Sequence, residues 1–372
     1  EIRQRSFTSL LDAVKYQEGI DIGTTRDKTG QGSVSMRGLT GEYTLLLIDG
    51  RRQNNHGDIY PNNFGGNAFN HVPPLAVIDR IEVIRGPAKK HTENWTGEFS
   101  MGRSVQSDDS FGDDFTTEVS VMGPLIDNVL SLGLRASLYN QQASSPAFAP
   151  AIDPNGNQIV RELGFGGGGR TVDNKDEHAG FSLSWTPADN QRLKFDYDIS
   201  NQIYDNTPSY DLANDTIVYP LGTKDSIEAL WQASRGQVNP RAGYAADQEF
   251  DRSWWSLAHE GSWNFGSSML ALSYVDTANN GRTLPLSVAE RQLLQAMYDG
   301  SGDYAGLTEQ ARRDLAEQTF LPRPARPLES NQYTLDARLD IPLTAAGYHN
   351  LVVGGQLIDG ELIDGVFGLE SG

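Results

Sequence analysis

Three stretches of this chain alternate apolar and polar residues with a strict two-residue period. No other feature of the sequence limits the fold as much. Leu130, Leu132, Leu134, Ala136 and Leu138 alternate with Ser131, Gly133, Arg135, Ser137 and Tyr139. Leu193, Phe195, Tyr197 and Ile199 alternate with Lys194, Asp196, Asp198 and Ser200. Tyr333, Leu335, Ala337, Leu339 and Ile341 alternate with Thr334, Asp336, Arg338 and Asp340. Side chains along a strand point to opposite faces, so this period predicts strands with one apolar and one polar face. The charges of the second set would be ruinous facing lipid and comfortable facing a wet lumen. A β-sandwich or a soluble barrel also alternates, with its charged face in bulk water.

The links between segments separate these readings. Strand-like segments lie near 94–106, 115–123, 129–140, 178–187, 191–203, 250–265, 268–279, 329–342 and 349–359. Short links (Gly123–Asn128, Pro187–Asn190, Phe265–Ser267, Leu343–Tyr348) alternate with long ones (Gln141–Glu177, Tyr204–Glu249, Asn280–Leu328) and a smaller one at Ser107–Asp114. Long structureless loops are uncommon in compact soluble domains. Outer-membrane barrels have short periplasmic turns and long outer loops. Trp185, Trp254, Trp255, Trp263, Phe265 and Tyr274 lie toward strand ends, as interfacial girdles require. The expected fold is an all-β membrane barrel of which residues 91–372 supply about the first nine strands. Its outer loops are expected to hold helices at Ser287–Tyr298 and near Thr308–Gln318.

Composition narrows the function. Lys plus Arg is 30 against 49 Asp plus Glu, a net charge of −19. That argues against nucleic acid and against a polybasic membrane contact. There is no Cys and only six scattered His, so neither a disulfide framework nor a structural zinc site is expected. No apolar run approaches the ~18 residues of a membrane helix, which leaves a barrel as the way to span. No signal peptide is seen, and Glu1 reads as a position already inside a domain.

Residues 1–90 have a different texture and read as a compact α+β unit. Ser6 can cap a helix carrying Phe7, Leu10, Leu11 and Val14 at helical spacing, ended by Gly19. Short strands follow at Ser33–Arg37, Thr44–Ile48 and Arg80–Ile84, with a turn signal at Asp49-Gly50. Several candidate sites fail on chemistry. Asp108-Asp109 and Asp113-Asp114 read as a solvated face. Gly166–Gly169 lacks phosphate-loop spacing, and His56 with His71 matches no metal pattern. No nucleophile–base constellation is visible, so no enzyme, metal site or cofactor is expected.

The loop Arg51–Asn70 stands apart. It carries Arg51, Arg52, Gln53, His56, Tyr60, Asn62, Asn63, Phe64 and Asn67 beyond a strand end. Guanidinium and amide donors suit a planar, oxygen-rich anion, and aromatic rings suit catechol-like faces.

Ser33-Val34-Ser35-Met36-Arg37-Gly38-Leu39, Leu47-Ile48-Asp49-Gly50 and Ile81-Glu82-Val83-Ile84-Arg85-Gly86-Pro87 resemble, in order and spacing, the plug domain of TonB-dependent outer-membrane receptors. In texture the chain is similar to the ferric siderophore receptors of the catecholate group, such as the enterobactin and colicin I receptors. The resemblance implies a plug inside a roughly 22-stranded barrel in the bacterial outer membrane. It implies a ferric siderophore as cargo, with the iron carried inside the siderophore. It also implies a periplasmic TonB partner, surrounding lipid, and exposure to phage or colicin. The plug loop 51–70 maps onto the cargo-contacting apex, and the loop aromatics Tyr204, Tyr210, Tyr219 and Trp231 are further candidate contacts. Arg37 and Arg85 map onto the arginines that lock the plug to barrel carboxylates. Two departures are expected to reflect omitted segments. The partner-docking segment before Glu1 is missing, and Ala88 runs straight into Lys89-Lys90-His91-Thr92. Other cargo (haem, cobalamin, an oligosaccharide) and an adhesin or passive channel are the alternatives. The plug motifs speak against a passive channel, which needs no such domain.

Overall fold

A computed structural model gives the architecture. It describes, of the first 93 residues, the pieces 10–14, 20–22, 34–36, 46–48, 51–53, 72–74 and 78. Beyond them it describes 94–146, 149–159, 170–206, 209–211, 216–218, 226–231, 233–234, 236–238, 245, 247–344, 347–365 and 368–371.

Ten strands form one antiparallel sheet in chain order. They are β1 (Thr96–Ser104), β2 (Asp114–Ile126), β3 (Leu130–Gln141), β4 (Asn174–Ala188) and β5 (Gln191–Asp205). The others are β6 (Asp247–Trp263), β7 (Gly266–Asn279), β8 (Leu328–Leu343), β9 (His349–Asp364) and β10 (Gly368–Ser371). Sequence periodicity gives nine. The tenth is four residues long, too short to show a period. The strand bounds leave the links expected to be short at five residues or fewer and the links expected to be long much longer, although β2 runs on to Ile126, past the expected turn start at Gly123. In the turn after β2, Asn128 has φ 58°, a left-handed conformation that Asn tolerates well. No described helix is long and apolar enough to cross a membrane.

The two faces of the sheet match the alternation. Leu134, Ile199, Leu257, Leu270, Leu335 and Leu357 stand exposed on the outer face, while Asp196, Asp198, Arg252, Gln332 and Thr334 are buried on the inner one. Register brings one outward aromatic from each of five consecutive strands into a row. Phe181 pairs with Tyr197, Tyr197 with Trp255, Trp255 with Tyr274 and Tyr274 with Tyr333. The Tyr274 and Tyr333 ring centroids are 4.5 Å apart. Beyond this row, toward the long loops, polar residues join the outer face. There Asn201 donates to Glu249 at 2.8 Å and to Asp251 at 2.7 Å. At the opposite end Trp185, Trp263 and Phe265 are exposed beside the short turns. From Trp255 to Trp263 the strand runs about 26 Å, which at the usual tilt of about 40° covers roughly 20 Å of the ~25 Å apolar band of an outer-membrane barrel. Trp254 corrects the girdle expectation. It is 2% exposed and faces inward, because its neighbour Trp255 takes the outer face.

Of the expected plug elements, a helix is present at Leu10–Val14, a strand at Val34–Met36, and a hairpin that pairs Leu47 with Arg52 and Ile48 with Arg51. A strand at Ile20–Ile22 that pairs with Val34–Met36 was not foreseen. The expected strand Arg80–Ile84 lies outside the described residues.

Candidate functional site: the plug–barrel seam and the outer cap

Register builds the inner wall. One row across the sheet places Arg135 opposite Gly180, Gly180 opposite Asp198 and Asp198 opposite Trp254. The next row places His178 opposite Ser200 and Ser200 opposite Arg252. Arg135 reaches over Gly180 to Asp198 with two parallel bonds, Nε to Oδ1 at 2.7 Å and Nη2 to Oδ2. Gly180 makes this possible, since a Cβ there would sit 2.1 Å from Asp198 Oδ1. His178 Nε2 lies 3.0 Å from the same Oδ1. The carboxylate only accepts, so His178 donates from Nε2. All three side chains are at most 10% exposed.

The plug meets the wall beside this cluster. Arg252 Nη2 donates to the Gln53 backbone carbonyl at 3.1 Å and to its Oε1 at 2.8 Å. The Gln53 N–H donates to the Leu46 carbonyl at 2.9 Å, so Gln53 extends the plug hairpin. Ile48, Gln53 and Pro73 of the plug and His178, Asp198, Ser200, Arg252 and Trp254 of the wall enclose a cavity of about 10 Å³, room for one water.

Gln53, grouped in the sequence with the apex donors, therefore faces the barrel wall; it is 5% exposed. Arg51 and Arg52 form a strand, while His56, Tyr60, Asn62, Asn63, Phe64 and Asn67 lie outside the described residues, as do Arg37 and Arg85. Arg252 and Trp254 were missed. The adjacent tryptophans Trp254 and Trp255 disguise the alternation, yet Gln248, Phe250, Arg252, Trp254 and Ser256 share one face at period two.

At the other end of the strands, two outer loops fold together. Helix α1 (Val288–Asp299) starts at Ser287 and helix α2 (Glu309–Phe320) at Thr308, as their capping residues predict. Leu294 and Met297 of α1 and Ala316 and Phe320 of α2 enclose Leu230 and Trp231 of the preceding outer loop. Trp231 is thus a core residue of this cap, and its Nε1 points to Glu309 at 3.4 Å. Tyr204 is also corrected. It ends β5 fully buried, edge-on to Phe250, because β5 runs to Asp205, past the expected strand end. Tyr210 sits in a short strand, Ser209–Asp211; Tyr219 lies outside the described residues.

Arg323 clamps the cap to its stem. It donates to the Leu284 and Pro285 carbonyls at 2.9 and 3.1 Å and to Glu290 Oε1 at 2.8 Å. Glu290 also closes the capping box with Ser287. Arg323, then the Ser287 N–H, holds the Glu290 carboxyl down at about 2. A depressed carboxylate stabilises the fold above its unfolded value, and the contribution goes as pH falls through the folded value. The cap should therefore resist protease at pH 5 and lose part of that resistance between about pH 4.5 and 2. Glu290→Gln should flatten this dependence. Arg323→Ala should loosen the cap by about 1.5–3 kcal/mol, read as faster local hydrogen exchange in α1.

An apolar outer face, a wet charged inner face and a second segment bound across that inner face define a plugged outer-membrane barrel. Comparison with known proteins agrees. Residues 1–91 match the TonB-dependent Receptor Plug Domain. The chain is 32% identical over 145 residues to the iron-regulated outer membrane virulence protein of Vibrio cholerae, covering 34% of this chain and 22% of that one. It is 26% identical over 307 residues to the "probable TonB-dependent siderophore receptor" of Acinetobacter baumannii, covering 75% and 36%. A solved structure of the ferric enterobactin receptor of Pseudomonas aeruginosa shares the fold, with TM-score 0.62, 18% identity and coverage of 96% and 47%. The chain spans less than half the length of the relatives it matches. Its first 91 residues match the plug-domain family of the TonB-dependent receptors, and the sheet that follows shares the fold of their barrels.

Proposed function

We propose that this chain is part of a receptor that captures a ferric siderophore of the catecholate class at the cell surface and imports it with energy from a periplasmic TonB partner. The plug match carries the reading, because a domain seated in the barrel blocks passive flow and requires a drive to move it. The names of the relatives favour a siderophore as the cargo. The work is binding and switching. Cargo at the outer mouth shifts the plug toward a state its partner recognises, a coupling between two sites. Arg51, Arg52, His56, Tyr60, Asn62, Asn63, Phe64 and Asn67 are the proposed cargo contacts on the plug. Arg37 and Arg85 are proposed to pair with barrel carboxylates, since a buried unpaired guanidinium is costly.

The test is growth under iron limitation of cells that depend on the full-length receptor, each culture given one siderophore from a panel. Rescue by catecholates alone is expected. Rescue only by haem, or no rescue by any siderophore, would contradict the assignment.

A further inference from the structure

Gln53 lies where two parts of the plug meet. Behind it is the hairpin of Leu47–Ile48 and Arg51–Arg52, which it extends through Leu46. Directly after it in the chain comes the proposed cargo loop, residues 54–70. Gln53 in turn is gripped by the barrel, because one Arg252 nitrogen takes both its backbone and its side-chain oxygen.

We propose that Arg252 and Gln53 form a latch between the barrel wall and the plug at the foot of the cargo loop, and that the plug moves only once this latch opens. The proposal rests on the chain being a plugged transporter, not on which cargo it carries. The chemistry suits a contact that must release. Gln53 is a neutral acceptor, so the bond is charge-assisted without being an ion pair, strong enough to hold and weaker to break than a buried pair. The adjoining cavity is lined partly by polar groups. His178 Nδ1 and Trp254 Nε1 are buried there with no hydrogen-bond partner among the described residues. Water entering there can accept from Trp254, donate to His178 and solvate the guanidinium as it leaves Gln53. In a dry, apolar seam the freed guanidinium would be left without solvation.

The experiment measures channel opening by the purified full-length receptor in planar bilayers without cargo, and the urea concentration at which channels appear. Gln53→Ala and Arg252→Ala should each raise the open fraction about ten- to a hundred-fold. The double variant should exceed neither single, and Arg252→Lys should fall between Arg252→Ala and wild type. Gln53→Glu, which turns the contact into an ion pair, should raise the urea needed. Should Arg252→Ala fail to insert, the two Gln53 variants read the same contact from the plug side. A Gln53→Ala receptor as closed as wild type overturns the latch. So do single effects that multiply in the double variant, or a Gln53→Glu receptor that opens no later than wild type. A wrong siderophore class would leave all these results unchanged.

Discussion

Arg135→Ala should destabilise the barrel wall by about 3–5 kcal/mol, the usual cost of removing one partner from a buried ion pair. The guanidinium and carboxylate are 10% and 9% exposed, and His178 leans on the same oxygen. Removing Arg135 leaves Asp198 with His178 as its remaining described partner of that cluster, and the carboxylate is still buried. Gly180→Ala should act in the same direction without touching either charge, because its methyl group would occupy the carboxylate's place. The paired replacement Arg135→Met with Asp198→Leu should cost less than Arg135→Ala alone, since no charge is stranded. Urea unfolding of the detergent-solubilised receptor, followed by β-sheet dichroism, measures all three. Equal stability of Arg135→Ala and wild type would show that the cluster is solvated and idle.

Arg52→Ala should weaken binding of the cognate ferric siderophore about ten- to a hundred-fold, the loss of one charge-assisted hydrogen bond of about 1.5–3 kcal/mol. A ferric catecholate complex is anionic, and the chain carries a net charge of −19. A cation at the contact therefore matters more than it would on a neutral protein. Arg51→Ala should matter less. Arg51 pairs with Ile48 and Arg52 with Leu47, and neighbouring strand residues alternate between faces, so only one of the pair is expected to reach a cargo above the plug. Titration at matched salt decides. If neither arginine variant loses affinity, the apex is not the contact surface and the outer loops carry recognition.

The strands, turns and loop helices were legible because each rests on local rules. Period two gave Leu193–Ser200 and Tyr333–Ile341 their faces, and Ser287 and Thr308 announced the helix starts. What lay hidden depends on partners distant in sequence. Arg135 and Asp198 are 63 residues apart, and only register across β4 brings them together over Gly180. Arg252 and Gln53 are 199 residues apart, and Gln53 looked like one donor among many in an Asn-rich loop. Trp231 looked like a free loop aromatic because its packing partners, Leu294 and Met297, belong to a different loop. Trp254 is hard to place because only one of the adjacent pair Trp254 and Trp255 can face outward, and the pair alone does not say which.

Uptake of radioiron-labelled siderophore by cells bearing the full-length receptor separates the proposed energised import from mere surface binding. Accumulation should occur in cells with an intact TonB system. It should stop on loss of TonB or on addition of a protonophore, while binding at the cell surface persists. Equal accumulation with and without TonB would contradict the account.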